Sequence, residues 1–193
     1  MVGARMTDAR SIDWLPGHGT KRKGYDPGAL SPCAWTEADL VRKVCAVAWL
    51  TCESARVPSN IQAGGDYDER GKRAALGGSA LVIQVHADAV AAETGPDISR
   101  VFFYPNSPRA AADLIAAELR TVVPWPVQVF EADGATWGGA HACLGSVAPL
   151  SVLVEVGFTD GARGRTQLPL IVDKLGAAIA RGALKWRAGH GGE

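Results

Sequence analysis

The chain has 193 residues, 47% of them hydrophobic, which is enough to bury a full core in one domain. Its 20 basic and 20 acidic side chains cancel, so no overall field attracts nucleic acid or an anionic membrane surface. No stretch has the apolar length of a secretory signal peptide or of a membrane span. We therefore expect one domain over residues 1–193, with a core of about 11–186, made in the cytoplasm and treated as a monomer.

Short apolar runs alternate with helical patterns along the chain, which predicts an α/β fold in layers. Frequent Gly and Pro predict a loop at 20–35, and a loose tail is expected from residue 188 onward. The predicted strands cover residues 11–15, 80–86, 101–104, 127–130 and 152–156, with a weaker one around 56–62. The predicted helices cover residues 36–55, 67–76, 107–119 and 170–186.

The helix expected at 36–55 has a clear start signal. Thr36 fits an N-cap, with Asp39 in the place where a capping box usually has Glu. Apolar residues then recur at spacings of three and four and define one buried face. Cys45 and Cys52 fall on that face and are expected to pack as small hydrophobic residues. The four cysteines of the chain form no C-x-x-C pair and are too few for a disulfide scaffold.

His18 stands between Gly17 and Gly19, directly after the first predicted strand. A backbone flanked by glycines can lie close to a neighbour, because glycine has no Cβ to keep that neighbour away. We interpret the neighbour as a metal ion. The candidate partners of His18 are Glu37, His86 and Glu155, and imidazole nitrogens and carboxylate oxygens are zinc ligands in proteins.

Taken singly, each partner also has an ordinary structural explanation. Glu37 falls in the first turn of its helix, where a carboxylate stabilises the helix dipole by about 0.3–1 kcal/mol. His86 closes an apolar strand, and although ligands gather at the carboxyl ends of strands in open α/β sheets, a lone histidine there is more often structural. Glu155 lies inside the apolar run 152–156, where a carboxylate is costly unless it is paired or coordinated.

Taken together, four stretches resemble one family, the zinc-dependent N-acetylmuramoyl-L-alanine amidases of the Amidase_3 type. That family has a first strand ending in D-P-G-H-G, a glutamate that opens the next helix, a strand ending in S-I-H-A-N and a late V-E-x-G-F. The corresponding stretches here are LPGHG at 15–19, TEAD at 36–39, QVHAD at 84–88 and VEVGF at 154–158. They follow the family's order, and the resemblance spans about residues 11–186.

The resemblance implies a single-domain, mixed and mostly parallel sheet flanked by helices, with a metal site at the carboxyl ends of the strands. It implies that His18, Glu37 and His86 bind Zn2+ and that Glu155 is the catalytic carboxylate. Three protein ligands with one open position are typical of a catalytic zinc. Zinc lowers the pKa of water to about 7 and polarises a carbonyl, while Glu155 would carry the water proton to the leaving amine.

The resemblance alone implies the bond that is cut, the amide between N-acetylmuramic acid and L-alanine in peptidoglycan. Peptidoglycan lies outside the cytoplasmic membrane and the chain shows no signal peptide, so we expect a phage or prophage endolysin that acts on the cell wall after release. A wall-recycling or sporulation enzyme exported by another route is the alternative role. His141 and Trp137, in the loop predicted at 131–149, are candidates for substrate contact.

Two departures from the family pattern lie close to the motifs. Leu15 replaces an aspartate, so a hydrogen bond that orients a ligand is missing or comes from elsewhere, with Asp13 as the candidate. Asp88 replaces an asparagine and adds negative charge near the site.

Two other classes of protein stay as alternatives. A related zinc peptidase or amidohydrolase, such as a carboxypeptidase or endopeptidase, usually carries its first two ligands as H-x-x-E. Here Lys21 stands three residues after His18, which disfavours that class. A non-catalytic relative that binds the cell wall is disfavoured because all four polar residues are present.

Overall fold

A six-stranded sheet with helices on both faces dominates the computed structural model, which describes residues 11–90, 94–104, 109–132 and 150–190. The strands in chain order are β1 (Ile12–Pro16), β2 (Gly19–Lys21), β3 (Gly24–Asp26), β4 (Ser59–Ile61), β5 (Leu81–Asp88), β6 (Ser99–Phe103), β7 (Val127–Glu131) and β8 (Ser151–Phe158). β2 and β3 form a separate antiparallel hairpin. The other six follow the spatial order β4-β1-β5-β8-β6-β7.

The sheet is mixed and mostly parallel, which confirms the predicted fold class. Only the β6–β8 pair is antiparallel among the strand pairs of this sheet in the described residues. Every residue of β1 and β8 is buried, as is all of β5 except its last residue. Strands covered on both faces need apolar side chains on both, which explains their nearly continuous apolar sequences.

Five helices accompany the sheet in the part of the chain that the structure describes. They are α1 (Glu37–Ser54), α2 (Tyr67–Leu76), α3 (Arg109–Leu119), the short α4 (Gly164–Gln167) and α5 (Val172–His190), with a 3-10 turn at Leu168–Leu170. α1, α3 and α5 pack over one face, on the larger apolar cluster. A smaller cluster on the other face includes Leu15, Val82 and Leu153 together with Ala74 of α2.

The start and the buried face of α1 agree with the sequence prediction. The Thr36 hydroxyl accepts a hydrogen bond from the Asp39 backbone N–H at 3.1 Å, which satisfies one of the free donors at the helix start. Cys45 and Cys52 are fully buried on the apolar face and carry free thiols. Burial raises the pKa of the Cys52 thiol to about 11, so this residue packs as a neutral, apolar group.

Three boundary predictions were wrong. Residues 20–35 are not a plain loop, because the β2–β3 hairpin occupies their first part. The last helix continues to His190, so the tail does not begin at residue 188. β5 does not stop at His86 but runs two residues further, with an irregular register between His86 and Asp88.

Residues 107 and 108, where α3 was expected to begin, lie outside the described residues, as does most of the loop predicted at 131–149. In the described part of the chain, none of the helices combines the length and apolar character that crossing a membrane requires.

Candidate metal centre

His18, Glu37 and His86 meet at one end of the sheet, as their shared place near strand and helix ends predicted. One ligand atom from each lies within 4.8 Å of the others, the one such group among the residues that the structure describes. Nε2 of His18 is 3.2 Å from Oε2 of Glu37, and Nδ1 of His86 is 2.8 Å from Oε1 of the same carboxylate. Glu37 therefore lies between the two rings.

The Glu37 carboxylate is anchored from both sides at the start of α1. It is 3% exposed, and it accepts backbone hydrogen bonds from Ala29 at 2.9 Å and from Ala87 at 3.1 Å. Burial by itself raises the pKa of Glu37, but the hydrogen bond and charge of His86, the charge of His18 and the Ala29 N–H outweigh it and hold the pKa below its usual value. Glu37 is thus an ionised carboxylate with a fixed direction.

The two glycines around His18 have distinct roles. A Cβ on Gly17 would lie 2.5 Å from both Nδ1 and Cε1 of His86, so the missing side chain makes room for the second ring. Gly19 has φ +89, a backbone region that favours glycine. His18 itself has φ +57, which costs a residue with a side chain about 1–2 kcal/mol. Such strain persists only where surrounding contacts hold it.

Two residues of α2 hold the strained turn. The Tyr67 hydroxyl accepts a hydrogen bond from the His18 backbone N–H at 2.9 Å. Arg70, only 1% exposed, donates to the carbonyls of Pro16 at 2.6 Å, of His18 at 3.0 Å and of Thr20 at 3.4 Å. A buried guanidinium is tolerable when its donors are used in this way. α2 therefore fixes the backbone that carries the first imidazole.

Asp26, at the end of β3, orients the His18 ring. Its Oδ2 lies 2.8 Å from His18 Nδ1, and its Oδ1 accepts from the Gly28 N–H at 3.0 Å. Burial raises the pKa of Asp26, but the Lys21 ammonium, the Gly28 N–H and His18 outweigh it, so the pKa lies well below its usual value. An ionised carboxylate on Nδ1 holds a proton there and leaves Nε2 to face Glu37.

The suggestion that Asp13 takes this orienting role was wrong. Asp13 accepts hydrogen bonds from Ser11, Asn60 and Gln62 at 2.8, 3.0 and 2.8 Å. It therefore ties β1 to the β4 edge of the sheet.

Gln84, a residue of the same strand, contacts the ring nitrogen of His86 that does not face Glu37. Gln84 and His86 are two apart in β5 and therefore face the same side. The Gln84 amide nitrogen lies 2.6 Å from Nε2 of His86, while Nδ1 of the same ring faces Glu37. Both ring nitrogens of His86 are thus engaged.

Glu155 lies beside His86 in the sheet. The two residues are in register on β8 and β5, and so their side chains share one face. Glu155 is 4% exposed, and its Oε2 has no hydrogen-bond partner in the described residues. The pKa of Glu155 lies well above its usual value, mainly because the carboxyl is buried and also because Asp88 and Glu37 carry negative charge. The carboxyl therefore binds a proton strongly.

Asp88 and Arg100 form a charged pair next to Glu155. Arg100 of β6 is in register with Glu155, and its Nη1 lies 3.5 Å from the Asp88 carboxylate. Burial is the main cause of the raised pKa of Asp88. The extra negative charge expected from Asp88 does act on the site, because it contributes to the raised pKa of Glu155.

The donor set fits a zinc ion. Two imidazole nitrogens and one carboxylate are common zinc ligands. The contacts of 3.2 Å from His18 and 2.8 Å from His86 go to different oxygens of Glu37, and one ligand atom from each residue lies within 4.8 Å of the others. Gly28 leaves space at the same point, because a Cβ there would lie 2.6 Å from Glu37 Oε2 and 2.7 Å from the His18 ring. The residues therefore converge on a space of the right size and chemistry.

A cavity of about 290 Å³ opens beside His18. Thr20 and Tyr25 of the hairpin line one part of it, and Arg42 of α1 and Gly64 line another. Of the four central residues, His18 is the one that lines this cavity.

The sequence pointed to His18, Glu37, His86 and Glu155, which the structure brings together. It did not point to the residues around them, namely Asp26, Tyr67, Arg70, Gln84 and Arg100. The sequence does contain a signal that could have identified Asp26 as part of the site. It is an acidic residue just before Pro27 and Gly28, in the segment between two proposed ligands. Gln84 and Arg100 also carry one, because each is a polar residue inside an apolar strand. His141 and Trp137 lie outside the described residues.

Comparison with solved structures places this fold among the catalytic domains of N-acetylmuramoyl-L-alanine amidases. Amidase AmiC2 of Nostoc punctiforme is 20% identical, with a TM-score of 0.77 over 93% of this chain and 98% of that one. Amidase Ami1 of Mycobacterium smegmatis is 20% identical, with a TM-score of 0.72 over 95% and 99%. The catalytic domain of the CD27L endolysin, which targets Clostridia difficile, is 20% identical, with a TM-score of 0.72 over 91% and 97%.

No protein-family model matches the chain, and a search of curated protein sequences gives no significant match. At these levels of identity the structural likeness establishes the fold. The chemistry of the site has to be argued from its own residues.

Proposed function

We propose that this protein is a zinc-dependent N-acetylmuramoyl-L-alanine amidase. The observation that carries the proposal is the convergence of His18, Glu37 and His86 beside a buried Glu155. Two imidazoles and a carboxylate leave one position open, as in catalytic zinc sites. The likeness of the fold to several amidase domains supports the choice of reaction.

Each residue has a defined part in hydrolysis. A bound zinc ion supplies Lewis acidity, which activates water and polarises the scissile carbonyl. Glu37 and the two histidines hold the centre in place, with Asp26 and Gln84 behind the rings. Glu155 accepts the proton of the attacking water and passes it to the leaving amine. Burial and the acidic neighbours raise the pKa of Glu155, and the charge of a bound zinc ion would lower it again, so that the carboxylate can start ionised and accept the proton.

The cavity beside His18 supports a substrate with hydroxyl and carboxylate groups. Its lining combines the Arg42 guanidinium with the polar side chains of Thr20 and Tyr25. Such convergent polar groups fix the orientation of a ligand in a cleft. The muramic acid sugar and the stem peptide of peptidoglycan offer matching groups on the two sides of the lactyl amide.

Digestion of purified peptidoglycan tests the proposed bond. An amidase releases new L-alanine amino termini and no new reducing sugar ends. The matched controls are the Glu155→Gln variant and wild-type protein treated with a chelator. Both should lose most of their activity, and added zinc should restore only the chelator-treated protein. New amino termini on D-alanine or a diamino acid would instead identify a zinc peptidase.

We also propose that the protein acts on the cell wall after release from the cytoplasm, as a phage or prophage endolysin. The likeness to an endolysin catalytic domain supports this role, while amidase AmiC2 has the same identity and a higher TM-score, 0.77 against 0.72. Expression in a bacterial host with and without a membrane-permeabilising holin tests it. Lysis that depends on the holin is the expected result, and lysis at equal rates without the holin would contradict the proposed route.

A further inference from the structure

The β2–β3 hairpin presents two side chains to the cavity beside His18. Thr20 and Tyr25 are opposite each other in the hairpin, so their side chains are neighbours on one face. Thr20 is exposed, and Tyr25 is 54% exposed. Neither side chain makes a hydrogen bond or a ring contact with the residues that the structure describes. The packing of the described residues therefore does not explain why a large aromatic ring lies at this position.

The two cationic side chains that line the cavity already have partners. Arg42 lies 3.2 Å from the Asp39 carboxylate on the same helix. Arg70 is 1% exposed and donates to backbone carbonyls, among them those of Gly65 at 3.0 Å and Pro16 at 2.6 Å. The hydroxyl groups of the hairpin and the aromatic ring are the groups without such partners. This arrangement favours a neutral ligand rich in hydroxyl groups over an anionic one.

The cavity also has the size and the open floor that a flat ring requires. Gly19 and Gly64 line it, and a Cβ built on either residue would meet nothing within 4 Å. Its volume of about 290 Å³ is close to the lower limit of ligand pockets, about 300 Å³. A space of this size suits a single sugar ring.

The chemistry of a sugar ring matches the two hairpin side chains. A pyranose has an apolar face of C–H groups and a rim of hydroxyl groups. A tyrosine ring offers a large apolar surface with a polar group at its edge. A pyranose whose apolar face lies on Tyr25 therefore places its rim within reach of the Thr20 hydroxyl, which can donate or accept a hydrogen bond.

We propose that the cavity is a saccharide subsite, in which Tyr25 stacks on the N-acetylmuramic acid ring and Thr20 binds its hydroxyl groups. The inference deepens the proposed function and rests on it for the identity of the sugar. His18 lines the cavity at the end of β1, while Glu155 lies in β8, beyond β5 in the sheet. The sugar therefore lies on the hairpin side of the metal centre, and the stem peptide extends towards β8.

Binding of peptide-free glycan strands tests the subsite without catalysis, because these strands lack the lactyl amide. Titration calorimetry should detect their binding to the zinc-loaded wild type. Tyr25→Ala should weaken binding about tenfold or more, because the stacking contact is lost, whereas the matched control Tyr25→Phe should stay within about threefold of wild type. Thr20→Val keeps the shape of the side chain and should weaken binding about 2–10-fold, as expected for one lost hydrogen bond.

Zinc content and circular dichroism of each variant check that the metal centre and the fold are intact. All three variants should match wild type in both, because the substituted side chains lie on the exposed face of the hairpin. A folded, zinc-loaded Tyr25→Ala variant that binds glycan strands with wild-type affinity would overturn the proposal.

The dipeptide L-alanyl-γ-D-glutamate is the second probe, because it carries the carboxylates of the stem peptide and no sugar. It should not displace glycan strands from the wild type, since the peptide extends on the other side of the metal centre. Displacement would assign the cavity to the peptide and overturn the proposal, as would an active amidase that binds no glycan strands. Glycan binding that depends on Tyr25 in a protein without amidase activity would leave the subsite and remove the proposed function.

Discussion

Gly17→Ala adds a single methyl group at the point where His86 approaches β1. The new Cβ would lie 2.5 Å from Nδ1 and Cε1 and 2.9 Å from Cγ of the ring. Reaching an ordinary contact of 3.4 Å requires a shift of about 0.9 Å. Metal–ligand distances in genuine sites stay within about 0.2 Å of their preferred values. The methyl group therefore displaces a proposed ligand atom far beyond that tolerance.

We expect the added methyl group to displace the His86 ring and not the turn at Gly17, because surrounding contacts hold that turn in place. The Gly17 N–H donates to the Val85 carbonyl at 2.8 Å, and Arg70 holds the Pro16 and His18 carbonyls on either side. We expect zinc affinity to fall by about 100-fold or more, because a ligand is lost outright and not only loosened. The free energy of unfolding should fall by about 1–3 kcal/mol, the usual effect of overpacking.

Isothermal titration with zinc and urea unfolding of the metal-free protein measure the two effects separately. Gly78→Ala is the matched control, because Gly78 has φ +71 and its Cβ would meet nothing within 4 Å. That variant should lose about 1–2 kcal/mol of stability through backbone strain and bind zinc normally. A Gly17→Ala protein that folds and binds zinc with wild-type affinity would refute the geometry proposed for the centre.

The other predictions concern the ligands and the two acidic residues beside them. His18→Ala and His86→Ala should each lose the single zinc, and elemental analysis that finds unchanged zinc in both would exclude the site. Asp26→Ala should weaken zinc binding about 10–100-fold, whereas Asp26→Asn, which keeps an acceptor, should lose less in the same titration. Glu155→Gln should keep zinc but lower turnover on peptidoglycan about 100-fold or more, and equal turnover would place the general base elsewhere. The pKa of Glu155 is raised in the folded protein, so the folded metal-free protein binds more protons than the unfolded chain. Wild type should therefore lose stability relative to Glu155→Gln as pH rises above about 4.5. A difference in urea unfolding between the two proteins that does not grow from pH 4 to pH 7 would contradict this.

The sequence by itself determined the layered α/β fold and singled out four residues that the structure brings together. β1, β5 and β8 are readable because a strand covered on both faces must be apolar throughout. α1 is readable because its cap and its buried face follow local rules of helix structure. Within these elements, a histidine between glycines and a carboxylate in an apolar strand stand out as residues that need a partner.

Only the tertiary structure decided which partners they have. Asp26 acts on His18 because the β2–β3 hairpin folds back on the turn, and Arg70 reaches that turn from α2, more than 50 residues along the chain. The sequence pointed to Asp13, the acidic residue nearer to the motif in β1, but its side chain is used at the β4 edge.

The direction of β6 and the register of the sheet were likewise not readable from the sequence. Register places Arg100 and His86 on either side of Glu155, and it depends on how distant strands align. Which nitrogen of each histidine faces Glu37 follows from the group behind the ring, Asp26 for His18 and Gln84 for His86. Local patterns specify elements and residue types, whereas orientation and proton position depend on contacts between residues far apart in the chain.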